Sequence, residues 1–205
     1  MYKIAVFVSG KGSNLRAILT SFPPGNELVE VGAIISNRTD CPAIELAAEY
    51  NIPCYFVTGG SKAGYITHPE LAAELNKLQT SLVVLAGYLK KIPEDFIDLF
   101  QGKIINIHPA LLPSFGGKGM YGMNVHKAVF EKSCMVSGPT IHFVDKVYDN
   151  GKIIAQRTVD ISRVNTPDEI ASLVLKIEHE LLPHVVGKFA ENKIEIKNTR
   201  VYITD

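Results

Sequence analysis

The sequence predicts an α/β fold with a mostly parallel, twisted sheet, helices on both faces, C-terminal antiparallel strands and a long C-terminal helix. Strand and helix patterns alternate through the first half of the chain, which is typical of parallel strand–helix–strand units. Leu82–Ala86 is a continuous apolar run, as expected of a strand buried on both faces. Farther along, Tyr148–Gly151 contains an Asn-Gly pair, a strong signal for a hairpin between antiparallel strands.

Each predicted strand of the first half is an apolar run bounded by polar, glycine or proline residues. These strands are Lys3–Val8, Val29–Ile35, Cys54–Val57, Leu82–Ala86 and Ile104–His108. The segments between them carry apolar residues at helical spacing or an early proline, and are predicted to be helices. They include Leu15–Leu19, Pro42–Tyr50, Leu71–Leu78 and Pro93–Phe100.

The pattern changes after Ala110. Phe115–Met123 holds four glycines in nine residues, which predicts a mobile loop of the kind that often carries function. A helix is predicted near Val125–Phe130, and Thr166–Glu169 has the capping box and early proline of a long helix start. Two strands are predicted between these helices, Thr140–Val144 and Lys152–Ile161.

Length and composition indicate one globular domain over residues 1–205, since the chain shows no internal repeat and no linker. The 21 basic and 21 acidic residues cancel, so a general nucleic-acid binder is not expected. The three cysteines are far apart and form no Cys-x-x-Cys motif, which favours a reducing compartment and argues against zinc. No apolar run is long enough for a signal peptide or a membrane span, so a cytoplasmic protein without a membrane partner is predicted.

The loop Ser9–Asn14 lies between the first strand and the first helix. Its glycines let the backbone approach an anion, and the helix N-terminus offers free N–H groups. It lacks the Walker A spacing, and Leu15 stands where a dinucleotide fingerprint needs its third glycine. Ser36–Arg38, at the end of the second strand, has no acidic residue for a ribose. A single-phosphate site and a plain helix-capping turn are the two interpretations left.

Asn106 and His108 stand two residues apart at the end of an apolar strand, so their side chains point to the same side. Pro109 ends the strand, which puts the pair at a strand exit, where ligands bind in open α/β sheets. A lone strand histidine is more often structural. The neighbouring asparagine changes this balance, because a buried amide is costly without hydrogen-bond partners.

Asp149 is the candidate third member of this group. It could simply form a turn, or it could pair with His108 and raise the pKa of the imidazole. A cationic histidine beside an amide donor suits an oxygen that gains negative charge, as in acyl transfer. No Gly-x-Ser-x-Gly motif is present, so a covalent acyl-enzyme is not expected.

Several motifs then occur in an order that identifies a family. They are Ser9–Leu15, Leu85–Leu89, Asn106–Pro113, Gly138–Val144, Asp149 with Gly151, and the late pair Glu178 and His179. Over nearly its whole length the chain resembles phosphoribosylglycinamide formyltransferase, the folate-dependent enzyme of purine synthesis. The resemblance implies the Rossmann-like formyltransferase fold, with a phosphate-binding half at about residues 1–100 and a catalytic and folate-binding half at about 101–205.

Members of that family transfer a formyl group from 10-formyltetrahydrofolate to the amine of glycinamide ribonucleotide, without a metal. By resemblance, Asn106 and His108 stabilise the tetrahedral oxyanion, with His108 as proton donor. Asp149 keeps His108 charged and helps organise water. Glu178 contacts the ribonucleotide, whose phosphate is held by three residues of the first loop. These are Gly12, Ser13 and Asn14.

The resemblance also implies a folate site. Its expected residues are Lys62, Tyr88, Leu89, Lys90, Lys91, Ile92, Asn106, Thr140 and Val144. Lys62 is the only cation near a position where the family often has arginine. His142 lies in the same wall as Thr140 and is interpreted as structural. The glycine-rich loop Phe115–Met123 differs from the shorter loop of some members.

Four alternatives remain open. Methionyl-tRNA formyltransferase and formyltetrahydrofolate deformylase share the Asn-x-His…Asp core, but the first has an additional RNA-binding domain and the second an N-terminal regulatory domain. A non-catalytic nucleotide or folate module would not need His108 and Asp149 together. A metal hydrolase is weaker, because His108, His126 and His142 lack ligand spacing. The expected partners are therefore small molecules, and the protein is expected to be a monomer or homodimer.

Overall fold

The computed structural model describes residues 1–60 and 62–204, which form two compact units, Met1–Ile105 and Asn106–Asp205. The single domain expected from the sequence stays a prediction. The boundary between the units falls inside strand β5 (Ile104–His108).

The first unit is built on parallel strands in the order β3-β2-β1-β4. Their bounds are β1 (Tyr2–Val8), β2 (Val29–Ser36), β3 (Cys54–Phe56) and β4 (Leu82–Leu85). The helices of this unit are α1 (Ser13–Ser21), α2 (Ile44–Glu49), α3 (His68–Lys77) and α4 (Glu94–Leu99). The side chains of Ile4–Val8 are fully buried, so β1 forms the centre of this core. The ends of the predicted strands agree with these bounds to within one residue.

The second unit contains the exit of β5 and a set of antiparallel strands, arranged in the order β5-β7-β8. Its elements after β5 are α5 (Met123–Glu131), β6 (Val136–Ser137), β7 (Thr140–Phe143), β8 (Ile153–Gln156), β9 (Val159–Asp160), α6 (Pro167–Ala190), β10 (Ile194–Lys197) and β11 (Arg200–Ile203). The predicted fold class is confirmed: a mostly parallel sheet with helices, C-terminal antiparallel strands and a long C-terminal helix.

The predicted strand Lys152–Ile161 is wrong as a single element. Its first part, β8, pairs with β7, whereas its last part, β9, pairs with β6. The chain changes its strand partner near Arg157. The carbonyl oxygen of Arg157 packs against Gly138, where a Cβ would lie only 1.9 Å from this oxygen. The connection from β7 to β8 also covers residues 144–152 and is longer than the two-residue turn that Asn-Gly signals.

Helix α6 begins where its sequence signals predict. Thr166 is the N-cap residue, and its hydroxyl accepts a hydrogen bond from the N–H of Glu169. The carboxylate of Glu169 accepts from the N–H of Asn165, so only one of the two capping-box bonds is formed as predicted. The inward face of α6 packs Ile170 and Val174 against α5 and Ala110, which lies two residues after the end of β5.

Along the described residues there is no helix long and apolar enough to cross a membrane.

Candidate active site

The loop Ser9–Asn14 of the first unit is shaped by the segment just before α2. The carbonyl oxygen of Gly10 accepts hydrogen bonds from the thiol of Cys41 and the N–H of Ala43. Gly12 has a φ of 73° and forms the N-cap of α1, and a Cβ there would lie 2.6 Å from the Cβ of Ala43. The loop is therefore held in a conformation that favours glycine at position 12. No side chain caps the first turn of α1.

Ser9 ties this loop to the segment predicted to bind folate. Its hydroxyl donates to the Asn37 amide oxygen at 2.6 Å and accepts from the N–H of Leu89 at 2.9 Å. Tyr88 beside it is buried, its ring packs edge-on against Phe7 at 5.3 Å, and burial raises its pKa to about 12. Sequence analysis placed Ser9 in the loop but did not predict these two hydrogen bonds, because Asn37 and Leu89 are far away in the chain.

The other residues of the folate prediction have mixed environments. Leu89 is half exposed and Ile92 is buried, while Lys90 and Lys91 are exposed, with Lys91 close to Glu94. The ammonium of Lys62 lies 4.0 Å above the ring of Tyr65. None of these contacts tests a role in ligand binding, so all of these roles stay predictions.

In the second unit, Asn106, His108 and Asp149 come together, and His142 joins them from β7. The two oxygens of the Asp149 carboxylate face the two imidazoles. Oδ2 lies 3.6 Å from His108 Nδ1, and Oδ1 lies 3.6 Å from His142 Nε2. Asn106 Nδ2 lies 3.1 Å from the same His142 nitrogen. Both histidines are about 97% buried, so these contacts are shielded from water.

The start of the glycine-rich loop completes this cluster. The Nε2 atom of His108 donates to the carbonyl oxygen of Phe115 at 2.9 Å, and the N–H of Gly117 donates to Asp149 Oδ2 at 2.8 Å. A Cβ on Gly116 would lie 3.1 Å from the Cβ of Asp149, so the loop passes close to the carboxylate. The mobility predicted for this loop stays a prediction.

These hydrogen bonds determine the proton positions on the rings. A carbonyl oxygen only accepts, so His108 carries its proton on Nε2 and, when neutral, turns the Nδ1 lone pair toward Asp149. His142 donates from Nδ1 to the carbonyl oxygen of Phe143 at 2.8 Å. When the ring is neutral, its Nε2 atom is then the acceptor for the Asn106 amide.

A model of the protein family described as formyl transferase matches residues 2–186 of the chain. The chain belongs to the formyl transferase family. It is therefore an enzyme of formyl transfer, and the resemblance found in the sequence is confirmed.

Three relatives of this formyl transferase show how far the similarity extends. The chloroplastic phosphoribosylglycinamide formyltransferase of Arabidopsis thaliana is 44% identical over 195 residues, which cover 94% of this chain and 67% of the relative. The Haemophilus influenzae phosphoribosylglycinamide formyltransferase is 31% identical over 204 residues, covering 99% and 94%. The crystal structure of phosphoribosylglycinamide formyltransferase from Anaplasma phagocytophilum superposes with a TM-score of 0.89 at 32% identity, covering 99% and 93%. The chain thus spans about two thirds of the plant relatives and nearly all of the bacterial ones.

Burial and neighbouring charges act in opposite directions on the protonation of this cluster. Burial lowers the pKa of His108, and this effect outweighs the opposite pull of the Asp149 carboxylate and the Phe115 carbonyl. Asp149 thus acts in the predicted direction, and its role in keeping His108 charged stays a prediction. Burial acts to raise the pKa of Asp149, but the His142 contact, the charge of His108 and the Gly117 N–H together lower it. Burial thus disfavours the imidazolium form of His108, while the surroundings of Asp149 favour its carboxylate form.

A titration tests this balance. We expect the His108 pKa to lie below the ordinary histidine value in the wild type, and lower still in Asp149→Asn, because that variant removes the one charge that favours imidazolium. The measurement is ¹⁵N NMR of the imidazole against pH, with the resonance assigned through His108→Gln. Glu131→Gln, which removes an exposed carboxylate on α5, should leave the titration unchanged. A His108 pKa above the ordinary range would show that the Asp149 charge outweighs burial.

The remaining predicted residues of this formyl transferase lie on β7 and α6. Thr140 is fully buried and its hydroxyl is committed to the protein: it donates to the Ala110 carbonyl at 2.6 Å and accepts from Leu112 N–H and the Gln156 amide. Its side chain therefore fixes the chain after β5. Val144 is partly buried just after β7, and Glu178 is buried on α6. Their ligand contacts stay predictions.

Among the residues with described positions, no group of three or more His, Cys, Asp or Glu could hold a metal ion.

Proposed function

We propose that this enzyme transfers the formyl group of 10-formyltetrahydrofolate to the amine of glycinamide ribonucleotide, as a step of purine synthesis. The observation that carries the proposal is one cluster in which Asp149 lies against His108 and His142, and Asn106 contacts His142. The names of the relatives support formyl transfer to phosphoribosylglycinamide, and the folate donor is what the family resemblance implies. Cytoplasmic location and a monomeric or homodimeric state stay predictions.

In the proposed reaction the ribonucleotide amine attacks the formyl carbon, and the carbonyl oxygen becomes an oxyanion. Asn106 has a second N–H on Nδ2 that can donate to this oxygen, and His108 can donate from Nε2 by sharing that proton with the Phe115 carbonyl. The bond from carbon to N10 of the folate then breaks. The amine loses one proton and N10 gains one, so the reaction needs a group that moves protons, and His108 suits this task.

The protonation of His108 can change during the proposed reaction. In the neutral ring the lone pair is on Nδ1 and faces Asp149, so His108 acts on the substrate through Nε2–H. Negative charge that develops on the substrate oxygen favours the imidazolium form, which can give its Nε2 proton to N10 and take the amine proton on the same nitrogen in return. The imidazolium would face Asp149 Oδ2 on Nδ1 and the Phe115 carbonyl on Nε2, so both N–H groups have an acceptor. Asp149 thereby stabilises the charged ring at the moment when it forms.

The test is an assay with both substrates and with each omitted. Deformylated folate, followed by absorbance, should appear only with both present, and mass spectrometry should show a ribonucleotide that carries one formyl group. Folate breakdown without ribonucleotide would indicate a deformylase instead. Binding of both ligands without turnover would indicate a non-catalytic module, and loss of activity with a chelator would indicate a metal enzyme.

The phosphate loop provides a further prediction. Gly12→Ala should raise the KM for the ribonucleotide at least about tenfold, because the new methyl group meets Ala43 and the residue needs a left-handed backbone. Gly10→Ala is the matched control, since a Cβ at Gly10 meets no protein atom within 4 Å. The measurement is steady-state kinetics with the ribonucleotide varied at saturating folate. An equal KM for both variants would argue against phosphate binding by this loop.

A further inference from the structure

We infer that His142 is a positioning residue, which holds the Asn106 amide in the one orientation that leaves an N–H free for the substrate oxygen. The inference deepens the proposed function and depends on it. His142 belongs to the wall that sequence reasoning treated as structural, and its two ring nitrogens are both engaged in the cluster.

The first step of the argument is that the ring of His142 is fixed. His142 is 2% exposed and its Nδ1–H donates to the carbonyl oxygen of Phe143 at 2.8 Å. The backbone of Phe143 is itself held, because its N–H donates to the carbonyl oxygen of Lys152 at 2.9 Å. The register of β7 against β8 shifts between Ile141 and His142, which sets this stretch apart from a regular ladder. The ring therefore has one anchored edge and one edge directed at Asn106.

The second step concerns the amide. With Nδ1 protonated, Nε2 of His142 is a pure acceptor, and Asn106 Nδ2 donates to it at 3.1 Å. Turning the amide by 180° would set its oxygen against the Nε2 lone pair, so two acceptors would face each other in a buried site. A buried acceptor pair without a proton is costly. One N–H of Asn106 is thus used to fix the amide, and the other is available as a donor.

The third step concerns Asp149, whose Oδ1 atom lies 3.6 Å from the same His142 nitrogen. This distance is longer than a hydrogen bond, whereas the Asn106 amide meets the nitrogen at 3.1 Å. A doubly protonated His142 would turn an N–H toward both Asp149 and Asn106 Nδ2, and the amide would then have to present its oxygen. The neutral Nδ1–H form is the one that leaves Asn106 as a donor. Asp149 thus contacts both imidazoles, and the two rings have different roles. His108 acts on the substrate, and His142 orients the Asn106 amide.

Kinetics of two variants separate positioning from simple packing. His142→Leu removes the acceptor and should lower kcat about 10- to 100-fold, with both KM values within about threefold of wild type, because a misoriented donor costs rate rather than binding. His142→Gln keeps an acceptor oxygen and should recover most of the loss. Thermal unfolding of both variants checks that they are folded. Equal kcat in His142→Leu and wild type would overturn the inference.

A double-mutant cycle tests whether His142 acts through Asn106. In the Asn106→Ala background, His142→Leu should change the residual kcat by no more than about twofold, because the group that it positions is already gone. A full, independent 10- to 100-fold loss in that background would overturn the inference and indicate a structural role.

The third measurement uses the wild-type protein alone, without substrate. Long-range ¹H–¹⁵N spectra of the wild type should show His142 protonated on Nδ1 and unprotonated on Nε2, with a scalar coupling across the hydrogen bond from Asn106 Nδ2. A protonated Nε2 would overturn the inference. If wild type lacks formyl transfer altogether, the proposed function fails whatever this spectrum shows, so the two failures are distinguishable.

Discussion

Replacing His108 by alanine is expected to lower kcat for formyl transfer about 10³-fold, since it removes both a proton carrier and an oxyanion donor. The KM values for both substrates should change by less than about fivefold, because His108 is proposed to act on charge that develops after binding. The measurement is the two-substrate assay at saturation, with circular dichroism to confirm the fold.

The matched control is His184→Ala on α6, which removes an exposed histidine. It should keep kcat within about twofold of wild type. If His108→Ala retained turnover close to that of this control, the proton transfer would have to belong to another group and the proposed mechanism would fail.

Replacing Gly151 by alanine is expected to destabilise the protein by about 3 kcal/mol or more and to reduce activity strongly. The new Cβ would lie 1.8 Å from the Phe143 carbonyl oxygen and 2.7 Å from its carbon, so the backbone must move. Phe143 carries the carbonyl that anchors His142, and Asp149 is two residues from Gly151. A shift here therefore displaces two members of the cluster together. Urea unfolding followed by fluorescence or circular dichroism measures the loss.

Gly59→Ala is the control for this glycine, because a Cβ there meets no atom within 4 Å and its φ is not in the left-handed region. Its free energy of unfolding should stay within about 0.5 kcal/mol of wild type. An equally small change in Gly151→Ala would show that the connection between β7 and β8 adjusts freely, and that the cluster does not depend on it.

The differences between sequence and structure follow from the range of the interactions involved. Ile104–His108 was predicted to the residue, because an apolar run that ends at Pro109 is a local signal. The strand predicted over Lys152–Ile161 was wrong, because this stretch divides into β8 and β9. The division depends on pairing with β7 and β6, which no local pattern specifies. The same holds for α6, where Thr166 caps the helix as predicted but Glu169 bonds to Asn165 instead.

The sequence by itself determined the strand-and-helix order as far as β5, the shared side of Asn106 and His108, and, through family motifs, Asp149 as their partner. These depend on the two-residue period of a strand and on residues named within a motif. Tertiary structure alone decided that His142 contacts Asn106, that Ser9 links Asn37 to Leu89, and that burial lowers the pKa of His108 despite Asp149. A contact between strands depends on residues that are distant in the chain, and the desolvation of a side chain depends on all the atoms around it. No local sequence pattern can therefore predict either of them.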